Sequence, residues 1–333
     1  MLLAGDIGGT HARLALLAPD GRVTRREVFE SRTFSSLEAV LRAFLGKPAP
    51  RVTAAAFGVA GPVVHGRCVA TNLPWVIDSR VLARKLGIRK VTLLNDLVAL
   101  SFGALSVSRS KVRPLGGAGA PKKKGANVAV IAAGTGLGEA MLVWDEEGDR
   151  FVPSPTEGGH TDFAPSNELE AELLVFLRGR FGHVSGERIL SGSGLGNLYD
   201  FFRQARSVGE TTSNAQALEA APDRNAAIAE LGQEGKSHAA TQAVDLFARI
   251  YGAEAGNLAL KTLAVGGVYV CGNIAAKMLP VLERGTFRAA FEDKGRFRGL
   301  MEKVPVAVVL DSDVGLAGAR HVARGSYSPR SRR

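Results

Sequence analysis

Cysteine is scarce here: Cys68 and Cys271 are the only two in 333 residues. Two thiols build neither the disulfide framework of a small secreted domain nor a zinc site of several cysteines, so a reducing compartment is expected. Long apolar runs are missing too, and none approaches the ~20 residues of a membrane-spanning helix. The opening MLLAGDIGGT holds an acid and glycines where a secretory leader carries a basic end and a longer apolar stretch. A cytoplasmic protein with no membrane partner is the expectation. Aromatics make up only 6% of the chain, which bears on its net charge of +10. The excess lies in two acid-free segments: RSKVRPLGGAGAPKKK at 109–124 has six basic residues, and RHVARGSYSPRSRR at 320–333 has five. Without these eleven, 31 basic residues face 32 acidic ones, and the body is neutral. Tyr327 apart, neither segment interleaves aromatics on which bases could stack. Nucleic acid is therefore not an expected partner.

Glycine, by contrast, is abundant, with 40 residues gathered in short motifs where backbone must turn tightly or approach a ligand. The rest has the composition of a soluble globular protein, long enough for two domains with cores of their own. Residues 2–17 read as a hairpin, LLAGDI and ARLALL around GGT, and RVTRREVF as a third strand. Ser35 with Glu38 predicts a capping box ahead of an amphipathic helix through Leu45. Strands are predicted at 52–59 and 91–94, with Asp78 capping a helix between them through Leu86. This mixture of strands and helical crossovers is α/β. A second hairpin follows the Lys-rich loop: a strand at 127–132, the turn GTGLG and the strand EAMLVW. Phe151-Val152 predicts a short strand stopped by a Pro-rich turn at 153–155. Beyond it lie a helix capped by Asn167 with Glu170, and a polar stretch at 205–240 of helices joined by mobile loops, with a Ser213/Gln216 cap. A long helix is predicted at 245–262, strands at 267–270 and 304–310, and a last helix at 314–324. The hairpin-plus-glycine unit thus occurs twice, at 2–17 and 127–143, a weak internal duplication.

Four constellations carry chemistry. In DIGGT, residues Asp6, Ile7, Gly8, Gly9 and Thr10, glycine backbone can approach phosphate oxygens and Thr10 adds a hydroxyl. Asp6 can hold a hydrated Mg2+. A plain glycine turn explains the same letters. AAGTGLG, with Gly134, Thr135, Gly136 and Gly138, is the matching turn of the second unit and is not the Walker pattern. TEGGH and SGER supply Glu157, His160 and Glu187, acceptors suited to sugar hydroxyls, with a His/Glu metal site as the rival. GGVYVCGNI, with Gly267, Gly272 and Asn273, is a strand edged by glycines against which an adenine could lie. In VTLLNDLVAL a strand hands Asn95 and Asp96 directly to a helix; capping alone accounts for such a pair about as well as function does.

LAGDIGGTHARLAL, TNLPW, LLNDLVAL, GTGLG, EGGHTDFAP, SGERILSGSGL, GGVYVCGNI and FRAAFEDKGRF occur in this order. Together they closely resemble the bacterial glucokinase family of proteobacterial type, which shares the actin/hexokinase/Hsp70 ATPase fold, over residues 2 to about 322. The resemblance implies two actin/hexokinase-like (ribonuclease H-like) α/β domains flanking a cleft. A small domain over 1–108 would be completed by the helix at 312–324, a large one would cover 109–311, and 325–333 would be a disordered basic tail. It also implies ATP-dependent phosphorylation of glucose at the 6-hydroxyl with Mg2+, or, as the alternative, a broader hexose or amino-sugar kinase of the same fold. Asp96 matches the family's catalytic base, Asn95, Glu157, His160 and Glu187 its sugar ligands, and 6–10, 132–138 and 266–274 its ATP loops. Glucose and ATP are the partners implied, in a homodimer. Two positions depart from the pattern: Ala132 and Asn273 stand where the family has glycine. The repressor/kinase (ROK) sugar kinases carry a Cys-rich zinc motif after the sugar-binding His, and none follows His160.

Overall fold

Alternation of buried and exposed side chains is nearly absent from the strands Leu2–Ile7 (β1) and Ala54–Val59 (β4), because both faces of a crossover-built sheet are covered. The computed structural model describes residues 1–121 and 124–325. The tail predicted at 325–333 lies outside the described residues except for Gly325, as do Lys122 and Lys123 of the basic loop. The chain divides into two compact units: Met1–Arg109 with the described residues of Asp311–Arg333, and Ser110–Leu310.

In the first unit β1 pairs antiparallel with His11–Leu17 (β2), and β2 with Val23–Glu30 (β3). On its other side β1 runs parallel to β4, followed by a short sheet of Val63–Val64 (β5), Arg67–Val69 (β6) and Val76–Asp78 (β7). Lys90–Asn95 (β8) then closes the main order β3-β2-β1-β4-β8. The core gathers Leu3, Leu14, Phe44, Phe57 and Trp75. The small sheet is unpredicted, since strands of two or three residues show no periodicity. The first helix, Leu37–Leu45, is capped by Ser36, which accepts from Ala39 N–H, and not by Ser35. Glu38 is turned outward to Arg42 and Lys85 instead of closing a capping box. The predicted cap at Asp78 is present, accepting from Arg80 and Val81 N–H.

The second unit repeats the plan. Its strands are Val112–Pro114 (β9), Val128–Ala133 (β10), Leu137–Asp145 (β11), Arg150–Thr156 (β12), Gly267–Cys271 (β13) and Val306–Val309 (β14), in the order β12-β11-β10-β13-β14-β9. Again an antiparallel triple, β12-β11-β10, continues into parallel strands. β12 runs through Pro153 and Pro155, correcting the turn predicted there. As the edge strand it has one side with no ladder to complete, so a missing N–H is tolerated. The core wraps the helix His238–Lys261, with Phe201, Phe247, Tyr251, Phe287 and Phe291 buried. In the 205–240 stretch the cap is Thr211, accepting from Asn214 N–H, not Ser213. Glu210 pins that stretch, accepting from Tyr199 Oη at 3.0 Å, Asn214 Nδ2 at 2.9 Å and the Ser237 hydroxyl. No helix among the described residues is long and apolar enough to cross a membrane.

Candidate active site

The first unit sets its candidate site residues at the carboxyl ends of three parallel strands. Ile7 is in register with Val59, and Val59 with Asn95, so the DIGGT turn and the Asn95-Asp96 pair leave the sheet along one edge. That edge is where open α/β sheets bind ligands. The turn is braced from within: Gly8 N–H donates to the His11 carbonyl at 2.9 Å, and the fully buried Ser31 donates through its hydroxyl to the Gly8 carbonyl at 2.8 Å. Asp6 Oδ2 lies 3.5 Å from Arg13 Nη1. Burial pushes its carboxyl above the usual range, Arg13 opposes this, and the Asp313 carboxylate adds to it.

At the next strand end the capping account is half right. Asn95 Oδ1 accepts from Leu97 N–H at 2.9 Å and Val98 N–H at 3.4 Å, and its Nδ2 donates to the Gly61 carbonyl at 3.2 Å. Its carbonyl is therefore engaged by the helix Asp96–Ser106, and its second amide hydrogen is what it can offer a hydroxyl. Asp96, half-buried, accepts from Leu97 N–H through Oδ1 at 3.0 Å. Leu97 N–H thus has two acceptors, and the helix start does not depend on the carboxylate.

In the second unit Glu157, His160 and Glu187 come together. His160 Nε2 lies 4.0 Å from Glu157 Oε2 and its Nδ1 3.9 Å from Glu187 Oε1, so one imidazole stands between two carboxylates. Glu157 and His160 are exposed, with 75% and 60% of their side-chain surface open. The link between them, Gly158-Gly159, lies directly on β11: an added Cβ would stand 2.1 Å from Glu139 Oε2 at Gly158 and 2.0 Å from the Leu137 carbonyl at Gly159. Only glycine lets the segment seat this closely. Glu187 also reaches the glycine turn, where its Oε2 accepts from Leu137 N–H at 3.0 Å. The turn itself closes by Gly134 N–H to the Gly136 carbonyl at 2.8 Å, with Thr135 exposed at its tip. Ala132 sits within β10, opposite Gly138 and Cys271, so a methyl group is accommodated in the ladder.

The GGVYVCGNI motif splits in two. Gly272, at φ 92°, crosses the end of β10, where a Cβ would meet the Ala133 carbonyl at 2.4 Å, and this places the turn beside Gly134. Asn273 begins the following helix, Asn273–Lys277; the left-handed residue is Gly272. Gly267 does not belong with them. It starts β13 in register with Val128, about 16 Å along the strand from the turn at 3.3 Å per residue, and packs on Pro121 and Pro305.

Residues 3–326 match the family model described as Glucokinase. The chain belongs to the glucokinase family. Glucokinases of a Nostoc species and of Trichormus variabilis are 38% and 39% identical to it, each over 96% of this chain and 97% of theirs. A glucokinase from an Antarctic psychrotroph, known from its crystal structure, is 27% identical with a TM-score of 0.80, covering 97% of this chain and 98% of that one. The α/β fold is accordingly that of the actin/hexokinase-like ATPases.

Within this glucokinase-family chain, three groups at the site escape the sequence reading. Ser31 and Arg13 brace the DIGGT turn, and Asp313, bound to Arg26 at 2.6 Å, faces Asp6 from the far end of the chain. Arg13 lies in β2 in register with Asp6, a signal recoverable from the hairpin pairing; Asp313 carries none. Among the described residues there is no group of three or more His, Cys, Asp and Glu that could hold a metal ion.

Proposed function

We propose that this protein transfers the γ-phosphoryl group of ATP to the 6-hydroxyl of glucose, giving glucose 6-phosphate and ADP. The observation that carries the reading is Asp96, a half-buried carboxylate fixed at a parallel strand's carboxyl end, where the adjacent Asn95 already supplies the cap. A sugar hydroxyl is a very weak acid, and a carboxylate that takes its proton as the new O–P bond forms lowers the barrier. In this reading Asp96 is that base, and Asn95 donates to the sugar through its remaining amide hydrogen. Glu157, His160 and Glu187 bind the other hydroxyls, which fits the convergence of two carboxylates on one imidazole. The backbone of Gly8, Gly9, Gly134, Gly136 and Gly138, with the Thr10 and Thr135 hydroxyls, holds the phosphates. The turn at Gly272-Asn273 takes the adenosine.

Asp6 suits Mg2+, which takes oxygen ligands, keeps several waters and needs few protein carboxylates beside substrate phosphates. When bound, the ion neutralises charge on the phosphate oxygens. Asp6, balanced by Arg13 at 3.5 Å, would hold it through water. The cytoplasm and a homodimer complete the reading, testable by fractionation and light scattering. The deciding experiment measures ADP release with Mg-ATP across a panel of hexoses and amino sugars. Glucose should give the highest kcat/KM; comparable values for several hexoses would favour the broader hexose or amino-sugar kinase, and no glucose turnover would refute the assignment.

A further inference from the structure

Beneath the sugar-facing segment of the second unit lies an acid that the proposed chemistry does not use. Glu139, on β11, is 1% exposed. Thr156 on the neighbouring β12 donates its hydroxyl to the Glu139 carbonyl at 3.1 Å, so the backbone here is fixed. The side chain rises to Gly158, with Oε2 2.1 Å from where that residue's Cβ would be. Its other oxygen, Oε1, is buried and finds no hydrogen-bond donor among the described residues, nor does Glu254 Oε1, and the side-chain hydrogen bond between the two acids requires one of them to keep its proton. The groups facing it come from one helix, His238–Lys261: Tyr251, Glu254 and Lys261, with Lys261 Nζ 3.5 Å from Glu254 Oε1. Asn257 Nδ2 donates to Glu254 Oε2 at 3.0 Å, and Lys294, which donates to the Ala253 carbonyl at 2.9 Å, is drawn toward Glu254. The cations thus serve Glu254, and Glu139 is left as the acid that neutralises itself by keeping its proton. Burial, then the Glu254 carboxylate, push its carboxyl up to about 7 against the pull of Lys261.

We infer that Glu139 is a positioning residue for glucose, a protonated acid that seats the Gly158-Gly159 link and thereby places Glu157 and His160, an inference that rests on the sugar roles proposed above. Ionised, it would set a second negative charge beside Glu254 in a site closed to water, and the segment above it would have to yield. If glucose binding needs the protonated form, the glucose KM rises about tenfold between pH 6 and pH 8, since the protonated fraction falls by that factor across a pKa of about 7.

The experiment measures kcat and the glucose KM at saturating Mg-ATP from pH 6 to pH 8 for the wild type, Glu139→Gln and Glu139→Ala, with thermal melts of each. Glutamine keeps the shape and cannot ionise, so Glu139→Gln should hold the low KM of the wild type at pH 6 throughout, with kcat following the wild type. Glu139→Ala should raise KM at pH 6, a defect that Gln does not share. If Ala does not fold, the pH profile of the Gln variant still decides. A rise in KM with pH in Glu139→Gln equal to that of the wild type would overturn the inference while leaving the kinase assignment intact. No glucose turnover by the wild type at any pH would sink the assignment, and the inference with it.

Discussion

Replacing Asp96 by Asn exchanges one carboxylate oxygen for an amide nitrogen and leaves the shape unchanged. Asn95 Oδ1 already accepts from Leu97 and Val98 N–H, and an Asn at 96 keeps an oxygen for Leu97 N–H. The fold then loses a negative charge in the first turn of the helix, worth about 0.3–1 kcal/mol. What the variant cannot do is accept the proton of the 6-hydroxyl. A positioned general base contributes typically ~100- to 10,000-fold, so kcat should fall by that factor, equivalent to about 3–5 kcal/mol in the barrier. Chemistry and stability thus separate by several kcal/mol on a single substitution. Coupled ADP-release kinetics, glucose calorimetry and thermal melts should show a folded protein that binds glucose and turns over slowly. Asn95→Ala should do the reverse to stability, losing the cap at about 1 kcal/mol. A folded Asp96→Asn enzyme keeping more than about a tenth of wild-type kcat, below the range for a lost base, would refute the role assigned to Asp96.

Three further outcomes are expected. Glu157→Gln keeps shape but loses the charge that strengthens bonds from hydroxyls, so glucose affinity should drop by roughly 1–3 kcal/mol; calorimetry should find ATP affinity unchanged in the absence of sugar. Gly136→Ala would place a Cβ 2.3 Å from Glu187 Oε2 and displace the carboxylate that holds Leu137 N–H, so both the glucose and ATP KM values should rise; a change in the ATP value alone would contradict the link through Glu187. The raised carboxyl of Glu139 makes stability fall as pH climbs from its ordinary 4.5 to about 7, since the folded state holds a proton that the unfolded chain releases; the full effect is roughly 3 kcal/mol. Melts of the wild type should therefore drop across that window relative to Glu139→Gln, and parallel curves would contradict it.

The hairpins, the parallel strands and the caps at Asp78 and Asn167 were legible because each signal lies within a few residues of its effect. Where two equivalent residues compete at that range, spacing cannot choose between them. Ser35 and Ser36 are adjacent serines, and the chain direction entering the helix decides for Ser36. Pro153 and Pro155 illustrate the opposite failure. Locally they break a strand, yet they stand opposite Leu142 and Ala140 on an edge strand, and only the strand order shows that one side of the ladder has nothing to lose. Glu157, His160 and Glu187, proposed to bind sugar, lie near one another although TEGGH and SGER are separate motifs. The distance between Gly267 and Gly272 was not legible, because a motif read as a block gives both ends one role while a strand carries them apart.

Glu139 shows where reading along the chain stops. In LGEAMLVWD its letter fits an outward position on an alternating strand, and nothing nearby suggests that a carboxyl is buried there. Three separate facts make it so: Gly158 has no side chain, so the space over β11 stays open to Oε2; the helix His238–Lys261 presses Glu254 from another side; and Thr156 fixes the backbone between them. Each fact is ordinary in its own segment, and only their meeting turns an exposed-looking glutamate into an acid that holds its proton near neutral pH. Asp96 is the contrasting case, since its strand, its helix and its capping neighbour are all consecutive in sequence. A group whose environment is built by adjacent residues can be assigned a role from the chain alone; one whose environment is assembled from distant segments can be recognised only after folding has brought them together. That difference puts the proposed general base within reach of the sequence and leaves its proposed positioning counterpart to the structure.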